Sequence, residues 1–395
     1  MSDTIKRITI EGFKSIRKLE DFELRPLNVL IGANGAGKSN FIGFFRLMRE
    51  LIGQRLQLKV GRDGGANACL YLGPKVTTKL VAKLHFGSYG YKIKLVPAAD
   101  GRLIFEEEEV MPQTHVKNEI WLPLGSGHAE TKIKDYMRTS GDAQDLHRAI
   151  SSWPVYHFHD TSETAGVLHE GQINDNEYLR PDGRNLAAFL YRIRQIDPVV
   201  YSKICDLVRL VAPFFDDFKL RPMPENSVLI RLEWLQKGSD YPFLASQLSD
   251  GTLRFICLVA ALLPNNFVFS PTVFFDEPEL GLHPYALTLL ANLFEQVTRQ
   301  NRQVIVSTQS AQLLNEFSPE DIIVVERAQG ESVFHRLDSA QLSVWLEDYT
   351  LGDLWQKNVL GGRPRNEAMP SPLDDDRDQN DAPRQQGASA GDDHS

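Results

Sequence analysis

The sequence predicts an α/β fold with a mixed N-terminal sheet, a parallel core sheet and a helical insertion between the two halves of the chain. Three patterns indicate this fold. An apolar run, LNVLIG, leads through a glycine-rich loop into the helical stretch NFIGFFRLMRELI. Further strand-like runs, LVAKLHF, YKIKLV and LIFEEEEV, follow between residues 79 and 110. Beyond residue 216, strands and helices alternate, which is typical of a parallel sheet covered on both faces.

These patterns divide the chain into four segments. Residues 1–112 are expected to form an N-terminal lobe that holds the glycine-rich loop and antiparallel strands. Residues 113–215 read as a mainly helical insertion, because apolar positions in NLAAFLYRIRQ and VVYSKICDLVRLVAPFF recur at helical spacing. Residues 216–362 form a C-terminal lobe. Residues 363–395 have little to bury, which predicts a disordered acidic tail.

Composition excludes several classes of protein. The 395 residues are 42% apolar, which suits a folded chain with a large core. The net charge of -9 argues against a generally basic nucleic-acid coat, although it leaves room for a local basic face. The three cysteines are far apart, which favours a reducing cytoplasm over a disulfide framework. We also expect no membrane span and no secretion leader.

The glycine-rich loop GANGAGKS, from Gly32 to Ser39, matches the complete phosphate-binding pattern in its required place between a strand and a helix. Its glycines let backbone N–H groups face phosphate oxygens, Lys38 supplies a cation, and the hydroxyl of Ser39 suits Mg²⁺. The alternative is a glycine-rich turn. The predicted nucleotide-binding residues are Asn34, Gly35, Ala36, Gly37, Lys38, Ser39 and Asn40.

An acidic pair, Asp276 and Glu277, ends the apolar strand VFF in the stretch VFFDEPELGLHP. A phosphate-binding loop needs a carboxylate on a neighbouring strand to hold its metal, and we assign Asp276 to this role together with Ser39. Glu277 is then placed to accept a proton from a water molecule that attacks the γ-phosphate. The competing interpretation is an acidic turn that Pro278 ends.

The stretch SQLSDGTLRF, residues 246–255, precedes that strand by one helix. Taken alone it predicts a helix start, because Ser249 or Asp250 can accept hydrogen bonds from free first-turn N–H groups. The same N-terminus could instead bind an anion, with Ser249 and Gly251 as its contacts.

The order of IGANGAGKSN, LSDGTLRF, FFDEPELGLHP and VIVSTQS resembles that of the ABC-type ATPases of the RecF, SMC and overcoming-lysogenization-defect (OLD) group. The chain looks most like soluble RecF-like, AAA-family ATPases found beside bacterial defence genes. The resemblance implies a P-loop fold of the ABC-ATPase type that uses ATP and Mg²⁺. It also implies a homodimer, in which Ser249 and Gly251 act on the ATP of the opposite protomer.

Three departures from the family pattern limit what the resemblance implies. The position after the last catalytic strand is commonly a histidine that senses the γ-phosphate, whereas this chain has Gln309, which predicts slow turnover. The alternative is that Gln309 only starts a helix. No long heptad segment is present, which excludes the rod-like SMC architecture. We expect no nuclease domain of the OLD type in this sequence.

Two other acidic or histidine-rich motifs carry weaker hypotheses. His157 and His159 share one face of a strand and could form a metal pair, but no third ligand is apparent. The run from Asp374 to Asp376 could suggest nuclease carboxylates, but no strand precedes it, so a solvated tail is favoured.

The leading hypothesis is a cytoplasmic ATPase whose closure around ATP switches a separate effector, such as a nuclease encoded nearby, in DNA-related or anti-phage defence processes. A second is a RecF-like repair ATPase that binds DNA directly, and a third is a weakly hydrolysing scaffold. Exposed lysines and arginines on strands and helices more often belong to an ordinary surface, but the candidate DNA contacts are the following basic residues: Lys14, Arg17, Lys18, Arg46, Arg49, Arg55, Lys59 and Arg62.

Overall fold

The computed structural model describes residues 4–113, 119–138, 140–264 and 270–362. The predicted disordered tail lies outside these residues. The strands are β1 (Arg7–Phe13), β2 (Ile16–Glu23), β3 (Leu27–Ile31), β4 (Leu80–His85), β5 (Gly90–Pro97), β6 (Leu103–Met111), β7 (Leu122–Gly125), β8 (Val155–Tyr156), β9 (Gly171–Gln172), β10 (Phe215–Phe218), β11 (Leu229–Ile230), β12 (Glu233–Gln236), β13 (Pro242–Leu244), β14 (Thr272–Asp276), β15 (Gln303–Thr308), β16 (Ile322–Ala328) and β17 (Glu331–Arg336). The helices are α1 (Lys38–Ile52), α2 (Leu56–Arg62), α3 (Ala66–Cys69), α4 (Ile133–Tyr136), α5 (Gly141–Ser151), α6 (Leu186–Ile196), α7 (Pro198–Val211), α8 (Asp250–Leu262), α9 (Pro284–Arg299), α10 (Ala311–Leu314), α11 (Ser339–Leu346) and α12 (Leu351–Gln356).

The N-terminal sheet has the order β2-β1-β4-β5-β6-β7. We predicted a mixed sheet here, but each pairing among these strands is antiparallel. The reason is that β3 does not join them: its five residues are all buried, as expected of a strand inside a covered parallel sheet, and it crosses into the core sheet instead.

The core sheet has the order β17-β16-β3-β15-β14-β8. Neighbouring strands from β16 to β8 run parallel, and only the hairpin partner β17 is antiparallel. The predicted α/β class with a parallel core is therefore confirmed. Parallel strands end at a common edge, so the loops that follow β3, β14 and β15 meet there.

Two hydrophobic cores hold the layers together. On one face of the core sheet, α1 is packed against the N-terminal sheet, and Phe274 contributes from β14. On the other face, helices α6 to α9 cover Val273 and Phe275 of the same strand. The alternation of neighbouring β14 residues between the two cores follows from the period of two in a strand.

The segment 113–215, which we predicted to be mainly helical, contains α4 to α7 together with β7, β8 and β9, and β8 joins the core sheet. Val155 and Tyr156 form β8 and pair in parallel with Phe274 and Phe275 of β14. Trp153, two residues before this strand, is fully buried. His157 and His159 follow the strand directly, so its pairing with β14 places them near Asp276. Among the described residues, none of the helices is both long and apolar enough to cross a membrane.

Candidate functional site

The phosphate-binding loop connects β3 to α1, and its glycines are required by geometry. Gly35 and Gly37 have φ angles of +78° and +118°, which side chains disfavour. A Cβ atom at Gly37 would lie 2.0 Å from the hydroxyl oxygen of Ser332. A Cβ atom at Gly32 would lie 2.2 Å from the carbonyl oxygen of Val325 on β16. The loop is therefore held tightly against the neighbouring strands.

A hydrogen-bond cluster that the sequence did not reveal supports this loop from behind. The hydroxyl of Ser332 donates to the carbonyl of Ala36 at 2.5 Å, and its oxygen lies 2.7 Å from the hydroxyl oxygen of Ser15, within hydrogen-bond distance. The side-chain amide of Asn40 also donates to Ser15, at 2.7 Å. Asn40, assigned above to the nucleotide, thus has a structural partner as well. No local pattern marks Ser332, because it is almost 300 positions away along the chain.

Lys38 occupies the start of α1 and is only 5% exposed. Its ammonium donates to the carbonyl oxygens of Gly32 at 2.5 Å and Ala33 at 3.1 Å, and so bends back over the loop. Burial lowers the pKa of Lys38, although the neighbouring carboxylates of Glu277, Glu279 and Asp276 oppose this effect. The cation is therefore inside the loop, where phosphate oxygens can replace the carbonyls.

A cavity of about 130 Å³ lies over the loop. Most of the predicted site residues line it: Asn34, Gly35, Gly37, Lys38, Ser39, Asn40, Glu277 and Gln309. Ala36, also predicted as a nucleotide contact, is buried at 2% exposure and does not line the cavity. The structure thus brings together residues that are up to 275 positions apart in the sequence, because β3, β14 and β15 are neighbours in one sheet.

Asp276 ends β14 and is 7% exposed. It accepts a hydrogen bond from the hydroxyl of Ser307 at 2.5 Å. His157 Nδ1 and Arg46 Nη2 lie 3.7 Å and 3.9 Å from its Oδ2 atom. Burial acts to raise the pKa of Asp276, but the nearby ring of His157, the hydrogen bond from Ser307 and the charge of Arg46 outweigh it and lower the pKa. The carboxylate is thus kept ionised, as a metal ligand must be.

Glu277 has a left-handed backbone, with φ of +48°, which is strained for a residue with a side chain. Its N–H donates to the carbonyl of Ser307 at 2.9 Å, so β15 holds the strained residue in place. The side-chain amide of Gln309 donates to the carboxylate of Glu277. Gln309 is not the N-cap of α10. The N-cap is Ser310, whose hydroxyl accepts a hydrogen bond from the N–H of Leu313.

Two further residues lie next to the acidic pair: Glu279, which the sequence did not mark, and His159, which the sequence suggested only as one of a possible metal pair. Glu279 accepts hydrogen bonds from the hydroxyl of Thr308 at 2.7 Å and the N–H of Gln309 at 2.8 Å. The ring of His159 lies 3.0 Å from the carbonyl oxygen of Asp276 and 3.7 Å, centroid to centroid, from the ring of His157. The histidines therefore contact the acidic pair. Among the described residues, no group of three or more suitable side chains could hold a metal ion.

The SQLSDGTLRF stretch lies outside the cavity over the loop. Ser249 is exposed and caps α8, since its hydroxyl accepts from the N–H of Thr252 at 3.2 Å. Gly251 follows in the first turn, where a Cβ atom would lie 2.2 Å from the carbonyl oxygen of Gly281. Helix capping thus accounts for Ser249, and close packing against Gly281 accounts for Gly251. Neither residue contacts the phosphate-binding loop of its own chain.

Arg254, one turn further along α8, connects this helix to the acidic pair. Its guanidinium donates to the carbonyls of Phe158 at 3.1 Å, His159 at 2.9 Å and Leu280 at 3.0 Å. A movement of α8 would therefore be transmitted to both the histidine segment and the loop after Glu277. Nothing in the spacing of LSDGTLRF distinguishes this arginine from a surface residue.

The basic residues proposed above as DNA contacts are mostly paired with acids. Lys18 lies 2.6 Å from Glu20, and Lys59 lies 2.5 Å from Asp63. Arg46 is directed to Asp276, inside the site. Other pairs involve Lys14, Arg49 and Arg55.

The donor groups present fit Mg²⁺. A serine hydroxyl and an ionised aspartate are hard oxygen ligands of the kind that Mg²⁺ prefers beside phosphates. Ser39 follows Lys38 at the start of α1, the helix after β3, and Asp276 ends β14. The strands β3 and β14 belong to the same core sheet. The fold and this arrangement are those of a P-loop domain of the ABC-like class.

Comparisons with known proteins agree with this class. A family model described as "AAA domain, putative AbiEii toxin, Type IV TA system" matches residues 27–84 and 138–315, which together are more than half of the chain. The chain belongs to this family. A search of curated proteins found no match.

Solved structures with the same fold include SMC head domains. The SMC head bound to the C-terminal winged-helix domain of ScpA aligns with 85% of this chain and 99% of its own, at 16% identity and a TM-score of 0.55. A head domain from Pyrococcus furiosus, bound to the C-terminal domain of ScpA, covers 87% and 98%, at 14% identity and a TM-score of 0.54. At such low identity these structures show the fold alone.

Proposed function

We propose that this chain binds ATP with Mg²⁺ and hydrolyses it slowly between two copies of itself. The observation that carries the proposal is the single cavity wall formed by Lys38, Ser39, Glu277 and Gln309. Lys38 and the loop N–H groups would hold the phosphates of ATP. Mg²⁺, held by Ser39 and Asp276, would neutralise charge on the phosphates.

Glu277 has the position of a general base. Its carboxylate would take a proton from a water molecule as the water oxygen attacks the γ-phosphorus, and the bond to the β-phosphate would break. The backbone of Glu277 is fixed by Ser307, which limits the carboxylate to a small region. Gln309 would then contact the γ-phosphate as a neutral donor in place of the family's histidine.

A second copy would complete the site. Ser249 is exposed at the start of α8 and does not reach the phosphate-binding loop of its own chain, so it is available to the ATP of a partner. Arg254 would connect that contact to the acidic pair on the same protomer. Closure of the homodimer would thus be coupled to hydrolysis.

We further propose that dimer closure switches a separate effector protein in a defence process. The family description names a toxin and a toxin–antitoxin system, which supports a defence role. An SMC head of the same fold is bound to a domain of ScpA, which supports a protein partner for this chain. We also propose that this chain is located in the cytoplasm.

The experiment is phosphate release by the purified full chain and two variants. Glu277→Gln should bind ATP normally, because Lys38, Ser39 and Asp276 remain, while hydrolysis falls by about 10²-fold or more. Glu295→Gln, which removes an exposed carboxylate from α9, is the matched control and should keep the wild-type rate. Near-normal release from Glu277→Gln would exclude Glu277 as the base.

A non-hydrolysing scaffold is the second candidate, and one contact favours it. The amide of Gln309 donates to the carboxylate of Glu277 and so occupies the group that would accept the proton. Tight ATP binding with ATP-dependent dimerisation, but without phosphate release by the wild-type chain, would support the scaffold over the ATPase.

A further inference from the structure

A second and larger cavity, of about 440 Å³, lies away from the phosphate-binding loop. Its walls come from the ends of α1 and α8, the residues before β8 and the loop before α6. We name it the arginine cavity, after the four side chains Arg49, Arg55, Arg180 and Arg302 that line it. Arg49 is eleven positions after Lys38 in α1, so about 16 Å of helix separates the two sites.

Arg302 is the most unusual of these residues, because it is a buried cation without an acidic partner. It is 5% exposed, and its Nη1 donates to the carbonyl of Leu262 at 2.8 Å. Its Nε has no hydrogen-bond partner, and within the described ranges no carboxylate lies within ion-pair distance. A buried, uncompensated charge is costly, and an anionic ligand would remove that cost.

The charges around the cavity do not cancel. Arg49 and Arg55 share one carboxylate, Glu50, at 3.5 Å and 2.6 Å. Arg180 is paired with Asp175 at 2.7 Å. Four guanidinium groups against these two carboxylates leave a formal charge of +2. A phosphate monoester carries about -1.5 to -2 at pH 7, which matches this excess.

Aromatic rings supply a second, independent feature. Tyr178 is 44% exposed at the cavity, and the guanidinium of Arg180 lies 4.6 Å from the centroid of its ring. Trp153, Tyr156 and Phe189 also line the wall. These three rings are buried, so Tyr178 is the ring on which the flat face of a nucleobase could stack, with little sequence preference. The volume falls within the roughly 300–1,000 Å³ range of small-molecule sites.

We propose that the arginine cavity binds a mononucleotide, with its phosphate at Arg302 and its base against Tyr178. The phosphomonoester could belong to a free nucleotide or to the 5′-phosphorylated end of a nucleic-acid strand. The site lies at the amino ends of the core strands, opposite the edge that carries Glu277, so it is distinct from the proposed ATP site.

The experiment uses the full chain with Lys38→Ala, which removes nucleotide binding at the phosphate-binding loop. AMP, GMP, CMP and UMP are titrated by calorimetry, with inorganic phosphate and 5′-phosphorylated and unphosphorylated oligonucleotides as further arms. We expect at least one mononucleotide to bind and to raise the melting temperature. Adding Arg302→Met should weaken binding by about tenfold or more, since a charge-assisted hydrogen bond is lost. Arg299→Met, which removes an exposed arginine three positions away, is the matched control and should change nothing.

Tyr178→Ala provides a second variant, since the hydrogen bond from Arg302 to Leu262 could make Arg302→Met unstable. Loss of the ring should weaken binding of a mononucleotide by about tenfold but leave that of inorganic phosphate unchanged. If only the phosphorylated oligonucleotide binds, the ligand of the arginine cavity is the 5′-phosphorylated end of a strand and not a free nucleotide. The proposal is overturned if no mononucleotide or phosphorylated end binds, or if neither variant weakens binding. None of these readouts depends on ATP hydrolysis, so this proposal and the ATPase proposal can fail separately.

Discussion

Replacing Gly251 with alanine tests whether this residue is required by packing within its own chain. The first turn of α8 is helical at this position, so alanine has no conformational penalty there. The new Cβ atom would, however, lie 2.2 Å from the carbonyl oxygen of Gly281 and 3.2 Å from its carbon. Ordinary C···O contacts are about 3.3 Å or longer, so the loop at Gly281 would have to move by roughly 1 Å.

The magnitude follows from two opposing terms. Overpacking of this kind costs about 1–3 kcal/mol, whereas replacing glycine by alanine within a helix gains about 0.5–1 kcal/mol. We therefore expect a net loss of about 1 kcal/mol, and at most about 2.5 kcal/mol, in the free energy of unfolding. Because Gly281 is close in sequence to Glu277 and Glu279, the movement should also reduce the ATPase rate.

Urea unfolding, followed by far-UV circular dichroism, measures this loss. Gly43→Ala is the matched control, because Gly43 is inside α1 and a Cβ atom there meets nothing within 4 Å. The control should gain about 0.5–1 kcal/mol. Equal stabilities for the two alanine variants would refute the packing argument and leave the proposed ATP contact as the reason for Gly251.

Two further predictions concern a buried histidine and the residue next to the base. Burial, together with the charges of Lys83 and Arg7, lowers the pKa of His85 to about 4. The unfolded chain therefore binds a proton at His85 between about pH 6.5 and pH 4 that the folded chain does not, so stability is lost as the pH falls through this window, by up to about 3 kcal/mol. His85→Phe should flatten that part of a stability profile measured by urea unfolding, and a profile with the wild-type slope would contradict the assignment. Gln309→His should raise kcat about tenfold in a phosphate-release assay, because an imidazolium is a stronger donor to phosphate than an amide; a fall in kcat would show that the contact of Gln309 with Glu277 is the more important one.

The sequence was sufficient to predict the fold because its signals are local. The phosphate-binding loop lies between a buried strand and an amphipathic helix, and the apolar strand before Asp276 ends at a proline-bounded turn, so each element is marked by its own neighbours. The parallel core followed from the strand–helix alternation of the second half. The antiparallel character of the N-terminal sheet did not, because it depends on β3 leaving that sheet for another.

The supporting residues of the site could not be predicted, since their partners are distant in sequence. Ser332 contacts the phosphate-binding loop only after β17 forms a hairpin with β16. Arg254 reaches His159 only because β8 joins β14 at the edge of the core sheet. In the sequence, Arg302 resembles an ordinary turn residue, and only the packing of the helices shows that it is buried. Each of these contacts is created by tertiary structure, which leaves no periodic signal in the chain.

The central claim is that two copies of this chain share each ATP, and a mixed dimer tests it most directly. Lys38→Ala damages a protomer's phosphate-binding loop, whereas Ser249→Arg places a bulky cation at the exposed start of α8. Each variant alone should be inactive, and the Ser249→Arg chain should still bind ATP. A doubly tagged heterodimer of the two contains one site with both lesions and one intact site. We predict recovery of up to about half of the wild-type ATPase rate if the sites act independently. An inactive heterodimer, together with a Ser249→Ala chain that keeps its turnover and loses only about 1 kcal/mol of stability, would show that Ser249 is a helix cap and contradict the shared site.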